Sequence, residues 1–401
     1  MTTPDAPAVA TRLAQVIARR HDEMVRDLAR FVAIPTGKNH TAGLDEFRGI
    51  IIDRLAALGA TSDLIPGDDR PDWLSPDDGA FVPPPTARVR RTGAASARIL
   101  IAGHLDTVFD PLGPFQTLEV SSDGKTAVGP GVVDMKGGIL IALVALEALA
   151  EVGCDPTWTF LLNSDEEMGS YCSYAALHAE ATRHDWGLAL EPALPDGSLA
   201  VERKGSGQFM IETIGRAAHA GREFEKGVSA VYALAHVLTQ VEKLSDSSHG
   251  ITVNVGPISG GIAPNIVPDR ARAWGNVRFP STNDAERLGR AFDAQQTDAD
   301  ALPRVIVRRS FNRPAKPLTD ATRRLAELAQ ETAHQIGQHL PFASTGGVCD
   351  GNILQDAGLA TIDTLGVRGD GLHTQEEWIE LDSLTERAVL LASLINRLSE
   401  H

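Results

Sequence analysis

The sequence is poor in cysteine and in positive charge, and both shortages exclude classes of protein. Its three cysteines, Cys154, Cys172 and Cys349, are too few and too scattered for a disulfide framework or a cysteine zinc site, and they favour a reducing compartment. Thirty-seven basic side chains against fifty-three acidic ones give a net charge of −16. Such a surface repels phosphate backbones, so we do not expect nucleic acid as a partner.

The chain also lacks a long hydrophobic run. Its most apolar stretch, residues 137–150, is too short to span a bilayer and contains Glu147. The first residues carry charges by Asp5 and have no apolar core typical of a signal peptide. With 43% hydrophobic and 22% charged residues, the composition is that of a globular protein, neither collagen-like nor disordered. We therefore expect a soluble, cytoplasmic protein that does not bind membranes.

Length and hydrophobic patterning predict an α/β protein. At roughly 150 residues per domain, 401 residues suggest two or three domains. Apolar runs alternate with helical patterns in the first half of the chain, which favours a mainly parallel sheet with helices on both faces. A segment rich in proline, aspartate and glycine, residues 66–85, is predicted to be a long loop. The predicted helices are 9–32, 44–58, 137–152 and 174–184, and the predicted strands are 98–102, 158–162 and 187–190.

After about residue 200 the pattern changes to that of a small α+β unit. Two strands around a Gly-Ser-Gly turn at 205–207 begin a predicted βαββαβ arrangement. It continues with a helix at 228–244, strands at 251–255 and 270–278, a helix at 283–292 and a strand at 304–309. Alternating elements resume at 320–337, 361–365 and 381–398. We predict one α/β domain, residues 1–203 and 316–401, interrupted by an inserted α+β domain over residues 204–315.

Acidic residues and histidines fall where the predicted strands end. The first of these strands runs into His104 and Asp106, which share one face if the chain stays extended. Asp106 can then orient the imidazole of a metal-binding His104. In open α/β sheets, ligands bind at the carboxyl ends of the strands, where this pair lies. A His-x-Asp tripeptide alone is nevertheless a weak signal.

Further carboxylates follow the same rule. Asp134 precedes the most apolar helix, where it fits a helix N-cap as well as a ligand. Asp165, Glu166 and Glu167 are consecutive at a strand end and repel one another unless they point into water or are held by a cation. Taken singly, that run fits a solvated loop. Glu191, however, ends the next strand in the same way.

A histidine near the end of the chain completes the set. His373 lies in a glycine-flanked loop before the last helix, although an isolated loop histidine is usually only solvated. The sequence thus offers two histidines and at least three carboxylates near strand ends, and such ligands suit Zn²⁺ or a similar ion. One tetrahedral zinc needs fewer ligands. Two metals about 3.5–4 Å apart that share a bridging carboxylate would use the whole set.

Five motifs together resemble a known family. HLDTVF, GPGVVDMKGG, SDEEMGS, LEP and GLHT are similar to the ligand motifs of the di-zinc metallopeptidases that include carboxypeptidase G, aminoacylase and acetylornithine deacetylase. The resemblance covers nearly the whole chain in the right order. It implies that His104, Asp134 and Glu191 bind one zinc ion. Glu167 and His373 complete a second site, to which Asp134 is the bridge, and the Asp134–Met135 peptide is expected to be cis.

The resemblance also implies catalytic roles. Glu166 is expected to be the general base, which takes a proton from metal-bound water and passes it to the leaving amine. Asp106 is expected to be the hydrogen-bond partner of His104. Because neighbours on a strand face opposite ways, Glu166 and Glu167 both reach the site only if the chain turns, as Gly169 suggests.

The inserted domain matches the family's lid and dimerisation domain. His219 in GRAAHAG resembles a lid histidine that helps to stabilise the oxyanion, often across a dimer interface, although a structural histidine is the alternative. Asn265 and Arg278 resemble lid residues that hold the substrate. Arg313 resembles an arginine that clamps a substrate carboxylate through two parallel hydrogen bonds. Both arginines also fit ordinary edge-strand positions. Cys349 in GGVCD replaces the small polar residue usual in the family.

The resulting hypothesis is a homodimeric di-zinc amidohydrolase of the carboxypeptidase G type. It would release a C-terminal amino acid with a free carboxylate through attack by a metal-bound hydroxide, with Co²⁺ or Mn²⁺ as possible substitutes for zinc. An N-acyl amino-acid deacylase of the acetylornithine deacetylase or aminoacylase type is the alternative, because its substrates also end in a carboxylate. A non-catalytic protein on this fold would lack Glu166 or several ligands. A single-metal carbohydrate hydrolase would leave both histidines without a role.

Overall fold

The computed structural model describes residues 6–74 and 81–400, so part of the predicted loop at 66–85 lies outside the described residues. The α-helices are α1 (Ala6–Ala18), α2 (His21–Val32), α3 (Thr41–Ala56), α4 (Gly137–Glu151), α5 (Tyr174–Ala181), α6 (Ala230–Val241), α7 (Thr282–Asp293), α8 (Asp320–Gln335), α9 (Asp350–Asp356) and α10 (Asp382–Leu398). The strands are β1 (Thr61–Ile65), β2 (Thr86–Arg91), β3 (Arg98–His104), β4 (Glu119–Val120), β5 (Thr126–Val128), β6 (Thr157–Asn163), β7 (Trp186–Ala189), β8 (Leu199–Arg203), β9 (Gly205–Ile214), β10 (Ala218–His219), β11 (Thr252–Gly260), β12 (Ile266–Val267), β13 (Arg270–Phe279), β14 (Arg304–Arg313), β15 (Phe342–Thr345), β16 (Thr361–Ile362), β17 (Gly369–Asp370) and β18 (Trp378–Glu380).

A six-stranded sheet in the order β1-β2-β6-β3-β7-β16 forms the centre of the larger unit. The pairs β6–β3, β3–β7 and β7–β16 are parallel, whereas β1–β2 and β2–β6 are antiparallel. The mainly parallel α/β sheet is therefore confirmed. Its antiparallel edge was not predicted, because β1 carries alternating exposed and half-buried side chains and no apolar run.

Helices cover both faces of this sheet. Side chains alternate along β3, so Ile99 and Ile101 join the core formed with α1–α4 and α10, while Leu100 and Ala102 join a second core with α5 and α9. Almost every residue of α4 is buried, and α4 packs against α10 and α1. A strand and a helix that are apolar all round are typical of the centre of a doubly covered sheet.

A four-stranded antiparallel sheet, β11-β13-β9-β14, lies between residues 205 and 313. Its chain order with α6 and α7 is the predicted βαββαβ arrangement. Leu234 of α6 and Phe292 of α7 belong to its own hydrophobic core. These elements fall inside the predicted insertion, and the division into domains at 203 and 315 stays a prediction. The indole of Trp274 in β13 donates to the carbonyl of Trp73, which ties this sheet to the larger unit (2.7 Å).

Two details of the predicted secondary structure were wrong. The helix expected over 9–32 is broken between α1 and α2, next to Arg20, which pairs with Glu147 of α4. The Gly-Ser-Gly segment is the start of β9 and not a turn. A Cβ atom at Gly205 would lie 2.1 Å from the ring of Phe279, so glycine there lets an aromatic ring pack against the strand.

A small sheet, β17-β18-β5-β4, links the end of the chain to its middle. β18 pairs antiparallel with β5, with Trp378 opposite Val128. Because β17 and β18 flank the loop that contains His373, this pairing brings the loop next to the segment that carries Asp134. Among the described residues, no helix is long and apolar enough to cross a membrane.

Candidate metal centre

Adjacent parallel strands bring their carboxyl ends together. β3 ends at His104, opposite Asn163 at the end of β6. Glu166 and Glu167 follow β6, and Glu191 follows β7 on the other side of β3. The convergence expected at the carboxyl edge of a parallel sheet is therefore found for these side chains.

Asp134 reaches the same edge from a short, irregular π-helical segment, Val132–Lys136, directly before α4. Its own dihedral angles are not helical (φ −120°, ψ 91°), and the Asp134–Met135 peptide is cis, as expected. Asp134 therefore does not cap α4, because the residue at the N-cap of that helix is Lys136.

The five predicted ligands form two groups of three that share one member. The ligand atoms of His104, Asp134 and Glu191 lie within 4.8 Å of one another, and so do those of Asp134, Glu167 and His373. One carboxylate oxygen of Asp134 lies 3.0 Å from Nε2 of His104, and the other lies 3.6 Å from Nε2 of His373. This is the arrangement expected of a bridging carboxylate.

The buried carboxylates of the cluster repel one another, and a positive charge between them would stabilise their ionised forms. Burial and the charge of Asp134 raise the pKa of Glu191 well above its usual value, and burial likewise raises the pKa of Glu167. Oε1 of Glu167 is buried without a hydrogen-bond partner, and an oxygen of Glu191 lies within 4.8 Å of one of Asp134. Divalent cations would give these oxygens partners, so the donor set fits two metal ions.

Asp106 holds both the histidine and the turn that carries the glutamates. Nδ1 of His104 lies 3.0 Å from the carbonyl oxygen of Asp106 and 3.5 Å from its Oδ1. The two carboxylate oxygens of Asp106 accept hydrogen bonds from the backbone N–H groups of Glu166 (3.3 Å) and Glu167 (3.0 Å). Asp106 thus orients His104 and fixes the turn after β6, which ends at Gly169 with φ +102°.

Comparison with known proteins supplies the family. The model of peptidase family M20/M25/M40 matches residues 100–397, which is well over half of the chain. The chain belongs to this family. It is an enzyme, a metal-dependent hydrolase, and the predicted family relationship is confirmed.

Three known proteins illustrate the similarity. Carboxypeptidase G2 of Pseudomonas sp. (strain RS-16) is 26% identical over 397 residues, which cover 96% of this chain and 91% of that protein. Succinyl-diaminopimelate desuccinylase of Methylobacterium nodulans is 28% identical over 330 residues, covering 74% and 80%. The crystal structure of a tripeptidase from Staphylococcus aureus has a TM-score of 0.76 at 22% identity, covering 95% and 99%.

Arg313 contacts the predicted general base directly. Its Nη2 atom lies 2.8 Å from Oε1 of Glu166, and it donates to the carbonyl of Glu166 (2.6 Å) and to the hydroxyl of Ser170 (2.7 Å). Burial raises the pKa of Glu166, although Arg313 and His104 act to lower it. Sequence reasoning had given Arg313 a role toward the substrate only.

A cavity of about 390 Å³ opens over the two groups of ligands. Three arginines line the cavity, and two of them already pair with a carboxylate of the protein. Arg203 donates to Oδ1 of Asp363 from Nε (3.0 Å) and from Nη2 (2.7 Å), and Arg313 pairs with Glu166. Arg278 differs, because its Nη1 is buried without a partner and its guanidinium forms no hydrogen bond or ion pair within the described ranges. Burial and the neighbouring Arg313 lower the pKa of Arg278. An anion bound in the cavity would give the guanidinium of Arg278 a partner of opposite charge.

His219 and Asn265 do not line this cavity. They lie near each other in the inserted sheet unit, where Ala220 donates to the carbonyl of Asn265 (3.0 Å) and His219 pairs with Ile266 between β10 and β12. His219 is exposed, and its Nδ1 accepts from the backbone N–H of Gly221 (3.1 Å). The structure therefore brings together the five predicted ligands, Asp106, Glu166, Arg278 and Arg313, but not these two residues.

Sequence reasoning missed the polar residues that support the site. Asp350 accepts hydrogen bonds from the amide of Asn163 and from the hydroxyl of Ser170 (2.6 Å), which itself binds Arg313. Glu377 accepts three backbone hydrogen bonds beside Asp134. The only signal in the sequence was the glycine-rich segment before Asp350, which resembles a loop of the family near the active site.

Proposed function

We propose that this chain is a two-metal amidohydrolase that cleaves an amide bond and releases a C-terminal amino acid. The observation that carries this proposal is the position of Asp134, whose two carboxylate oxygens face different histidines, each with its own additional glutamate. A solvated loop or a single-metal site gives no reason for that symmetry.

His104, Asp134 and Glu191 would hold one ion, and Asp134, Glu167 and His373 the other. Zinc fits these nitrogen and oxygen ligands, and Co²⁺ or Mn²⁺ can replace it. Divalent ions bound there supply a positive charge that polarises the scissile carbonyl and lowers the pKa of water toward 7.

Glu166 would act as the general base. Its carboxylate belongs to neither group of ligands, yet it lines the same cavity. Because burial raises its pKa, the carboxyl group can hold a proton near neutral pH. Such a group can take the proton of the attacking water and give it to the nitrogen of the leaving amine.

Arg278 would bind the carboxylate of the substrate. Arg278 is half-buried in the cavity wall and its Nη1 has no partner among the described residues, whereas the neighbouring Arg313 is already paired with Glu166. A planar guanidinium binds a carboxylate through two parallel hydrogen bonds, so a free C-terminal carboxylate is the group that this wall recognises best. The similarity to carboxypeptidase G2 along 96% of the chain supports release of an amino acid.

An N-acyl amino-acid deacylase is the second candidate. Succinyl-diaminopimelate desuccinylase is among the relatives, and its name describes removal of an acyl group. The same arginine would serve both reactions, since both substrates carry a carboxylate. The two candidates differ in which side of the amide carries the larger group.

A homodimer would complete the site through His219 and Asn265. Both are absent from the cavity of their own chain, which supports a role at the site of a second copy, with a structural role for His219 as the alternative. Large apolar side chains are exposed beside them, among them Tyr232 (68% exposed) and Ile262 (89%). Burying these side chains against a partner would remove apolar surface from water.

Metal analysis combined with a hydrolysis screen tests the proposal. The metal-free protein should bind two divalent ions per chain. Reconstituted enzyme should then cleave folyl-, dipeptidyl- or N-acetyl-amino acids that end in a free carboxylate, and a preference for bulky acyl groups would favour the peptidase over the deacylase.

The control is the same set of substrates with the terminal carboxylate converted to an amide. Arg278→Met should raise the KM of the carboxylate substrates by roughly 10- to 100-fold, the worth of a charged hydrogen bond, and leave the amides unaffected. Absence of bound metal, or absence of hydrolysis in the whole screen, would overturn the proposal.

A further inference from the structure

Glu377 is a fully buried carboxylate bound entirely by backbone. Its Oε1 accepts hydrogen bonds from the N–H groups of Val133 (2.8 Å) and Asp134 (3.0 Å), and its Oε2 accepts from Gly131 (3.0 Å). Its own carbonyl oxygen accepts from the N–H of Gly129 (3.1 Å). One residue therefore receives four hydrogen bonds from the segment that carries the proposed bridging ligand.

The shape of that segment leaves buried N–H groups that need a hydrogen-bond acceptor. Gly131 lies in the left-handed region (φ +73°), and the segment from Val132 is a single turn. The N–H groups at the start of a helical turn have no partner within it, and here they point toward one place. Residues 131–134 are all buried, so without Glu377 these donors would be unsatisfied.

The other end of the same residue is tied to the proposed ligand His373. Gly371 accepts from the N–H of Thr374 (3.1 Å), and Thr374 accepts from the N–H of Glu377 (3.3 Å), so the loop closes onto Glu377. The backbone of His373 lies in the left-handed region (φ +64°). A residue other than glycine keeps this conformation only where the surrounding structure stabilises it. Beyond Glu377 the chain continues as β18 against β5.

We infer that Glu377 is a positioning residue that fixes Asp134 and His373 relative to each other, so that the second metal site exists as a unit. This inference rests on the two-metal function proposed above. Glu377 contributes no atom to either group of ligands. Its effect is to join, through four hydrogen bonds, two segments that are far apart in sequence.

Substitution of Glu377 separates this role from general structural support. In Glu377→Gln the amide oxygen can keep the bonds from Val133 and Asp134, but the amino group would oppose the N–H of Gly131. Glu377→Ala removes both acceptor oxygens and with them all three side-chain hydrogen bonds. The matched control is Glu376→Ala, because Glu376 is the exposed neighbour and its side chain has no partner among the described residues.

The readouts are Co²⁺ stoichiometry and affinity, the visible absorption of the Co²⁺-loaded protein, and steady-state kinetics. Loss of a residue that orients metal ligands costs about 10- to 100-fold in metal affinity. We expect that loss for one of the two Co²⁺ ions in Glu377→Ala, a smaller loss in Glu377→Gln, an altered absorption band in both, and a lower kcat at unchanged KM. Glu376→Ala should behave as wild type.

The inference is wrong if Glu377→Gln binds two Co²⁺ ions with wild-type affinity and an unchanged spectrum. That result decides the matter even if Glu377→Ala does not fold, and it leaves the two-metal function standing. If wild-type protein itself binds no Co²⁺, the proposed function fails and this inference fails with it. Equal losses of kcat and raised KM in all three variants would also contradict a positioning role specific to Glu377.

Discussion

The guanidinium of Arg313 lies 2.8 Å from the carboxylate of Glu166, so the residue predicted to hold the substrate also holds the predicted base. Arg313 enters from β14 of the inserted sheet, whereas Glu166 follows β6 of the large sheet. The contact therefore joins the two structural units at the reacting group. Because Arg313 is bound to Glu166, the proposed partner of the substrate carboxylate is the neighbouring Arg278, whose Nη1 has no partner among the described residues.

Arg313→Ala should lower kcat as well as raise KM. Removing a charged hydrogen bond that orients the base should reduce kcat by roughly 10- to 100-fold. Steady-state kinetics on one carboxylate substrate measures both constants. Arg309→Ala is the matched control, because Arg309 lies on the same strand and pairs with Asp293 (2.6 Å) at the surface. An effect on KM alone would show that the contact with Glu166 has no part in turnover.

Substitutions of the adjacent Glu166 and Glu167 should have different effects on metal content and on kcat. Glu166→Gln should keep two metal ions and lose about 10²- to 10⁴-fold in kcat, the usual worth of a general base. Glu167→Gln should lose metal, because Glu167 belongs to the second group of ligands. Metal analysis beside turnover distinguishes the two variants. Near-wild-type turnover of Glu166→Gln, or loss of its metal, would exclude the role given to it.

Mixing two inactive variants tests whether His219 acts across a dimer. His219→Ala lacks the lid histidine but keeps Glu166, and Glu166→Gln has the reverse defect. In a symmetric dimer, a mixed pair contains one intact site, so random exchange of subunits should restore about a quarter of the wild-type sites. Each variant alone is the control. Full activity of His219→Ala would show that the histidine is structural.

Metal binding should strengthen as the pH rises. Hydrogen bonds to Asp134 and Glu167 raise the pKa of His373 from 6.5 to about 10. Below that pH the metal-free protein carries a proton on His373, and a metal ion must displace it, so apparent affinity increases toward pH 10 and binding releases protons. Titration calorimetry in buffers of different ionisation enthalpy measures the release. His373→Ala should abolish that fraction, and affinity independent of pH would contradict the assignment.

Much of the fold and the metal centre was predictable because both depend on local patterns. The apolar run of β3 ends at His104, and parallel strands place their carboxyl ends at one edge, so position in the sequence implied position in space. The same reasoning placed Glu191 after β7.

The supporting residues could not be predicted, because their partners are distant in sequence. Nothing in the local pattern shows that Asp350 binds Asn163 or that Glu377 lies over the segment of Asp134. Asp165 illustrates the same limit: it looks like its two neighbours in the sequence, but it turns inward and accepts from the N–H of Cys172 (2.6 Å). Such roles depend on tertiary packing and leave no periodic signal.

Because β18 pairs with β5, the loop that carries His373 can take its place only after the chain has been synthesised as far as β18. Four of the proposed ligands leave the ribosome early, but His373 follows only after the whole inserted sheet has been synthesised. Until α10 arrives, the apolar α4 has no cover on that side. A product truncated before His373 would lack one ligand of the second proposed metal site and would expose the face of α4 that packs against α10. Exposed apolar surface of this kind is what chaperones and proteases act on.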